Sequence, residues 1–222
     1  MNGKRHGLWA ALFRAKACAY VHVPKAGGTS VEATLFGVRK QTQHSSLGEW
    51  DALLESDGGV GPLFKFAFVR HPLQRFLSAF AYIISRDKQA EPDGEAIQTV
   101  HFASLLIRRR FARCPKAYLR HLASLRAWED APVHFRPQHT FFAGYASESG
   151  HGCDFIGKLE NVKEDFAALL RAHDFGLDPA TPLAHERGTP KLPDHAALLA
   201  DPELVALVKH VYARDFELFD YE

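Results

Sequence analysis

The chain has 222 residues, 46% of them hydrophobic and 12% aromatic, enough to bury a full core within one large domain. A formal net charge of +1 excludes a global electrostatic drive toward nucleic acid or an anionic membrane, so any basic function has to be local. Cys18, Cys114 and Cys153 are widely separated and contain no C-x-x-C pair; they form neither a disulfide framework nor a zinc motif and suggest reduced thiols in a cytoplasmic protein.

At the N-terminus an apolar run from Leu8 to Phe13 is interrupted by Arg14 and Lys16. It falls well short of the ~20 apolar residues of a membrane span. Residues 1–16 read as an N-terminal extension, with no membrane span. Ala19 to Val23 is a short apolar, β-branched run, Lys25 to Ser30 is a glycine-bearing turn, and Val31 to Phe36 resumes with helical spacing, so the order is strand, loop, helix. Gly27 and Gly28 allow backbone conformations that a Cβ forbids, so successive N–H groups can turn inward on a phosphate. Thr29 and Ser30 add hydroxyl donors where the helix begins, at the end of its dipole that favours an anion. A nucleotide-triphosphate P-loop spells G-x-x-x-x-G-K-[ST], with lysine after the glycines. Here Lys25 precedes them.

Ser46-Leu47-Gly48-Glu49 has the form of a capping box and predicts a helix from Leu47 to about Glu55, with His44 just ahead of it. Three glycines and a proline over 56–62 then turn the chain back. Phe64 to Val69 reads as a strand and Pro72 as the first turn of the next helix. Arg70 therefore lies at the carboxyl end of a strand, the edge where open parallel sheets bind ligands. Leu73, Leu77, Phe80 and Ile84 recur at helical spacing as a core face, while Gln74, Ser78 and Tyr82 form another stripe.

The stretch from Ser85 to Gln98 is polar and reads as a loop or insertion; helical spacing follows over Thr99 to Ile107 and again over Lys116 to Trp128. Between them Arg108, Arg109, Arg110, Arg113 and Lys116 are the densest basic cluster, either a solvated helix face or a surface for an acidic acceptor such as a charged polysaccharide. Asn161 with Glu164 predicts a cap for a helix from Val162 to Ala172. Residues 174–194 hold four prolines and little periodicity and read as a loop or lid. Tyr212, Phe216 and Phe219 share one helical face as core. The sequence contains no H-E-x-x-H, no zinc-spaced Cys/His array and no G-x-S-x-G elbow, so no metal site is predicted.

Pro24-Lys25-Ala26-Gly27-Gly28-Thr29-Ser30 resembles the 5′-phosphosulfate loop of the sulfotransferases, especially the carbohydrate-type branch, sulfotransferase family 2. The segment from Phe64 to Phe80 resembles that branch's 3′-phosphate motif, whose strand-end arginine and helical serine would be Arg70 and Ser78. His134-Phe135-Arg136-Pro137-Gln138 resembles its H-x-x-P-Q segment, Cys153 to Asn161 its late strand-then-helix element, and the run from Tyr212 to Phe219 its usual ending. The segments His134 to Gln138 and Cys153 to Asn161 are expected to be architectural rather than catalytic.

The resemblance, from about Ala17 to the C-terminus, implies a single α/β domain over 1–222. Its expected form is a three-layer parallel sheet flanked by helices, P-loop nucleotide-binding-like. It also implies transfer of a sulfuryl group from 3′-phosphoadenosine 5′-phosphosulfate (PAPS) to an acceptor hydroxyl, that of a carbohydrate at the family level, leaving adenosine 3′,5′-bisphosphate. Lys25 would act on the leaving oxygen, with Lys25, Ala26, Gly27, Gly28, Thr29 and Ser30 around the 5′-phosphate and Arg70 and Ser78 on the 3′-phosphate. Related enzymes carry a catalytic histidine between the two motifs, which makes His44 the candidate base and His134 the reserve. A sulfuryl group carries less negative charge than a phosphoryl group, so the chemistry requires no magnesium. Two other readings stay open, a P-loop kinase using a nucleotide triphosphate and a non-catalytic nucleotide- or glycan-binding module.

Overall fold

A computed structural model describes residues 3–39, 44–56, 62–85, 105, 107, 109–111, 113–142, 151–184, 188 and 190–222. The glycine turn at 57–61, the polar stretch 86–98, the helical stretch over 99–104, and Arg108 and Arg187 lie outside them. In chain order the elements are α1 (Gly3–Ala15), β1 (Cys18–Val21), α2 (Gly28–Phe36), α3 (Leu47–Ser56), β2 (Phe64–Val69), α4 (Pro72–Ser85), α5 (Pro115–Ala123), β3 (Phe155–Lys158), α6 (Val162–Ala172), α7 (His195–Ala200), α8 (Pro202–Val211) and α9 (Ala213–Leu218). Short 3-10 turns cover Trp128–Asp130, Val133–Phe135, Gln138–Phe142 and Leu159–Asn161. The contacts group the chain into two compact units, Met1–Arg70 with Gln138–Arg187, and His71–Pro137 with Gly188–Glu222.

The first unit is α/β. Its three strands lie in the order β1-β2-β3 and both pairings are parallel, with Tyr20 opposite Phe66 and Phe68 opposite Gly157. All of β1 and the last four residues of β2 are buried, which is why these strands read as continuous apolar runs rather than as alternation. β1 ends at Val21, earlier than its apolar run, because the Val23 N–H turns back onto the Val21 carbonyl at 3.1 Å.

Residues 3–15, expected as an extension, form α1, which sends Trp9, Ala10 and Phe13 into the core of this unit. Trp9 meets Phe36 edge-on at 5.4 Å and Phe13 meets Trp50 edge-on at 5.0 Å, the geometry that aromatic quadrupoles favour. The capping box forms as expected: the Ser46 N–H donates to Glu49 Oε2 at 2.7 Å and the Glu49 N–H donates to Ser46 Oγ at 3.3 Å. The expected cap at Asn161 does not, since its side chain makes no capping bond. The side chain that bonds backbone at this end is Asp165, whose Oδ2 accepts the Lys158 N–H at 2.6 Å.

The second unit is helical. α4 buries Leu73, Leu77 and Phe80 of the expected core stripe, with Ile84 only partly buried against the same cluster and Phe76 buried in addition, and leaves Gln74, Ser78 and Tyr82 half-buried. The run expected from Lys116 to Trp128 is a helix only to Ala123, where the Ser124 hydroxyl turns back on the His121 carbonyl at 2.8 Å. Lys116, part of the basic cluster, forms ion pairs with Asp201 and Glu203, each at 2.9 Å, and Arg120 also meets Glu203. Tyr212 is buried and donates its hydroxyl to the Phe135 carbonyl at 2.9 Å. Tyr212 and Phe219 are core as expected; the chain breaks at Tyr212 into α8 and α9, so the three aromatics do not share one unbroken helix.

Candidate active site

Between the end of β1 and the start of α2 the chain makes one tight bend. Lys25 takes a left-handed conformation with φ 67°, uncommon for a residue with a Cβ, and Gly27 follows at φ 82° as the N-cap of α2. Gly27 is favoured by that φ, which strains any residue with a Cβ; an added Cβ would also lie 2.8 Å from Leu159 Cδ1, at the movable end of that side chain. The bend closes through the Ala26 N–H on the Val23 carbonyl at 3.4 Å and the Ser30 N–H on the Gly27 carbonyl at 3.0 Å. Alternation of this kind turns successive N–H groups to one side and delivers them at the N-terminus of a helix, an arrangement suited to an anion.

The floor of the bend is His22, only 5% exposed. Its Nδ1 lies 2.5 Å from Oε1 of Glu32, which is buried on α2, and its ring occupies the space above which Gly28 sits. Tyr20 packs beside it at 5.8 Å; burial first, and the Glu32 charge second, hold the Tyr20 phenol well above its ordinary pKa, so it stays protonated.

His44 reaches the same place from the segment before α3. Its ring meets the His22 ring edge-on at 4.7 Å, and its Nδ1 lies 3.3 Å from the His22 carbonyl. A carbonyl only accepts, so this contact puts the His44 proton on Nδ1 and the lone pair on Nε2, the tautomer that can take a proton.

Arg70 follows the last residue of β2, and its guanidinium comes within 3.5 Å of the Lys25 carbonyl. Its backbone is held by Gln138, whose Oε1 accepts the Arg70 N–H at 2.9 Å and whose Nε2 donates to the Arg70 carbonyl at 2.8 Å. The structure thus brings Lys25, Ala26, Gly27, Gly28, Thr29, Ser30, His44 and Arg70 together in the first unit. Ser78 belongs to the second unit, half-buried on α4, as does the reserve histidine His134, whose ring lies 5.0 Å from that of Tyr82.

Sequence reading did not foresee the partners of His22, Glu32 and Gln138. Glu32 carried a signal: it stands among Val31, Leu35 and Phe36 on the buried face of α2, and a carboxylate there needs a partner. Gln138 carried none beyond its motif, because its partner is 68 residues away.

Among the described residues no group of three or more His, Cys, Asp or Glu is arranged to hold a metal ion, and no helix is long and apolar enough to cross a membrane. Searches of curated proteins and of solved structures find no match to this chain. A family model described as "Sulfotransferase family" matches residues 13–222, which include the bend, His44, Arg70, Gln138 and both units almost in full. With nearly its whole length matched and its glycine bend in place between a parallel strand and a helix, the chain belongs to the sulfotransferase family.

Proposed function

We propose that this protein transfers a sulfuryl group from PAPS to an acceptor hydroxyl, with a carbohydrate as the acceptor class. The observation that carries the reading is the convergence on one bend of a lysine, a strand-end arginine and a histidine whose carbonyl contact sets its tautomer. The residues suit the donor: the bend leads through Gly27 into the N-terminus of α2, where backbone N–H groups and the Thr29 and Ser30 hydroxyls can meet a 5′-phosphate. Arg70 is assigned to the 3′-phosphate. When bound, the donor supplies a sulfuryl group that passes to the acceptor oxygen as its bond to the bridging phosphate oxygen breaks. Lys25 stabilises the negative charge left on that oxygen. His44 takes the acceptor proton on Nε2.

A kinase reading is less well supported, because its lysine belongs after the glycines and a metal-binding carboxylate is expected near the phosphates, whereas β2 runs into Arg70. A binding module would keep the bend without turnover. We assign the reaction to the cytoplasm on the three cysteines, which are all free thiols. The test is transfer of labelled sulfate from PAPS to a panel of glycans, glycolipids and small hydroxyl compounds. Turnover supports the proposal; ATP-dependent phosphorylation of the same panel, or tight nucleotide binding with no transfer, overturns it.

A further inference from the structure

We propose that Gln138 is a positioning residue for Arg70 and thereby sets the preference of this site for nucleotides carrying a 3′-phosphate as well as a 5′-phosphate. The inference rests on the assignment of Arg70 to the 3′-phosphate.

β2 pairs with β3 as far as Val69, opposite Lys158. One residue further on, the two-point pairing with Gln138 stands in for the next rung of a strand ladder. Gln138 is 0% exposed, so its amide meets protein groups, these two among them, rather than water. Its identity follows from the bonds: glutamate lacks the donor for the Arg70 carbonyl, and an apolar side chain lacks both partners.

The location gives the pairing its consequence. Arg70 is the last residue of the first unit before the chain leaves it, and Gln138 is the first on its return. An exit segment with unpaired peptide groups would fray, and the root of the Arg70 side chain would move with it. At the other end of that side chain the guanidinium lies against the Lys25 carbonyl. Gln138 therefore fixes the root of a side chain whose tip borders the bend. A guanidinium holds phosphate through a rigid fork of N–H groups, so its contribution depends on where that root is anchored.

The experiment measures the affinity of adenosine 3′,5′-bisphosphate and of AMP by calorimetry for the full chain, Arg70→Ala, Gln138→Met, Gln138→Glu, and the Arg70→Ala/Gln138→Met double variant. Gln138→Met is expected to weaken the bisphosphate about tenfold, the scale of one or two lost hydrogen bonds, and AMP less than about twofold. Gln138→Glu, which keeps the acceptor, should fall between. In the Arg70→Ala background Gln138→Met should cost nothing further, because the group it positions is gone. An equal loss for both ligands, an unchanged bisphosphate affinity, or additive losses in the double variant overturns the role of Gln138. If Arg70→Ala weakens both ligands equally, the assignment of Arg70 fails and the inference falls with it. Should Gln138→Met not fold, Gln138→Glu carries the same comparison, with AMP binding as its check on folding.

Discussion

His22 occupies the space that a side chain on Gly28 would need: a Cβ built there lies 2.2 Å from His22 Nε2. The imidazole is held through Nδ1 by Glu32 at 2.5 Å, so swinging it away would break that buried contact. Gly28→Ala should therefore lower stability by about 1–3 kcal/mol, the usual cost of overpacking. Urea unfolding checks it, with one control: in a His22→Ala background the same substitution should cost much less, since the two changes share one contact. Equal costs in both backgrounds would show that the ring does not set the limit.

Arg70→Ala should weaken adenosine 3′,5′-bisphosphate by about 1.5–3 kcal/mol, the scale of a charged hydrogen bond, and leave AMP nearly unaffected. Calorimetry with the two ligands separates a 3′-phosphate contact from general damage to the bend, which Arg70 also borders through the Lys25 carbonyl. A parallel loss for AMP would reassign the guanidinium to the bend itself.

His44→Ala should reduce kcat by about 10²–10⁴-fold, the usual share of general-base catalysis, with bisphosphate affinity unchanged. The wild-type rate should fall as the pH drops and imidazole is protonated, and the residual rate of the variant should lose that acid limb. Wild-type turnover in the variant would pass the role to His134.

Activity should survive a chelator. On the proposed assignment Lys25 meets the charge on the leaving phosphate oxygen and Arg70 the 3′-phosphate, so cationic side chains would do what a metal does in phosphoryl transfer. Assaying transfer with and without EDTA tests this; loss of turnover restored by magnesium would favour the kinase reading.

Much of the frame is legible in the sequence because its signals are local. The apolar run ending at Val23, the glycines at 27 and 28 and the helical spacing after Val31 each act over a few residues, and β1, the bend and α2 follow in that order, with β1 stopping at Val21 and α2 starting at Gly28. The Ser46 capping box and the strand from Phe64 to Val69 are read in the same way. Local signals also mislead where a longer-range contact intervenes. Asn161 resembles a cap, yet the bond to backbone there comes from Asp165, and the short apolar run from Leu8 to Phe13, read as part of an extension, lies in a helix that buries Trp9 and Phe13.

What the sequence by itself determined is the chemistry available: a lysine before paired glycines, hydroxyls at a helix start, an arginine at a strand end, a histidine between them. Only the tertiary structure decided which of these meet and what holds them. His44 is brought to the bend by the His22 carbonyl, His22 is held by Glu32, and Arg70 is held by Gln138. The physical reason is that a buried polar group has to find a partner wherever the folded chain supplies one, and that partner is chosen by the path of the chain rather than by its neighbours in sequence.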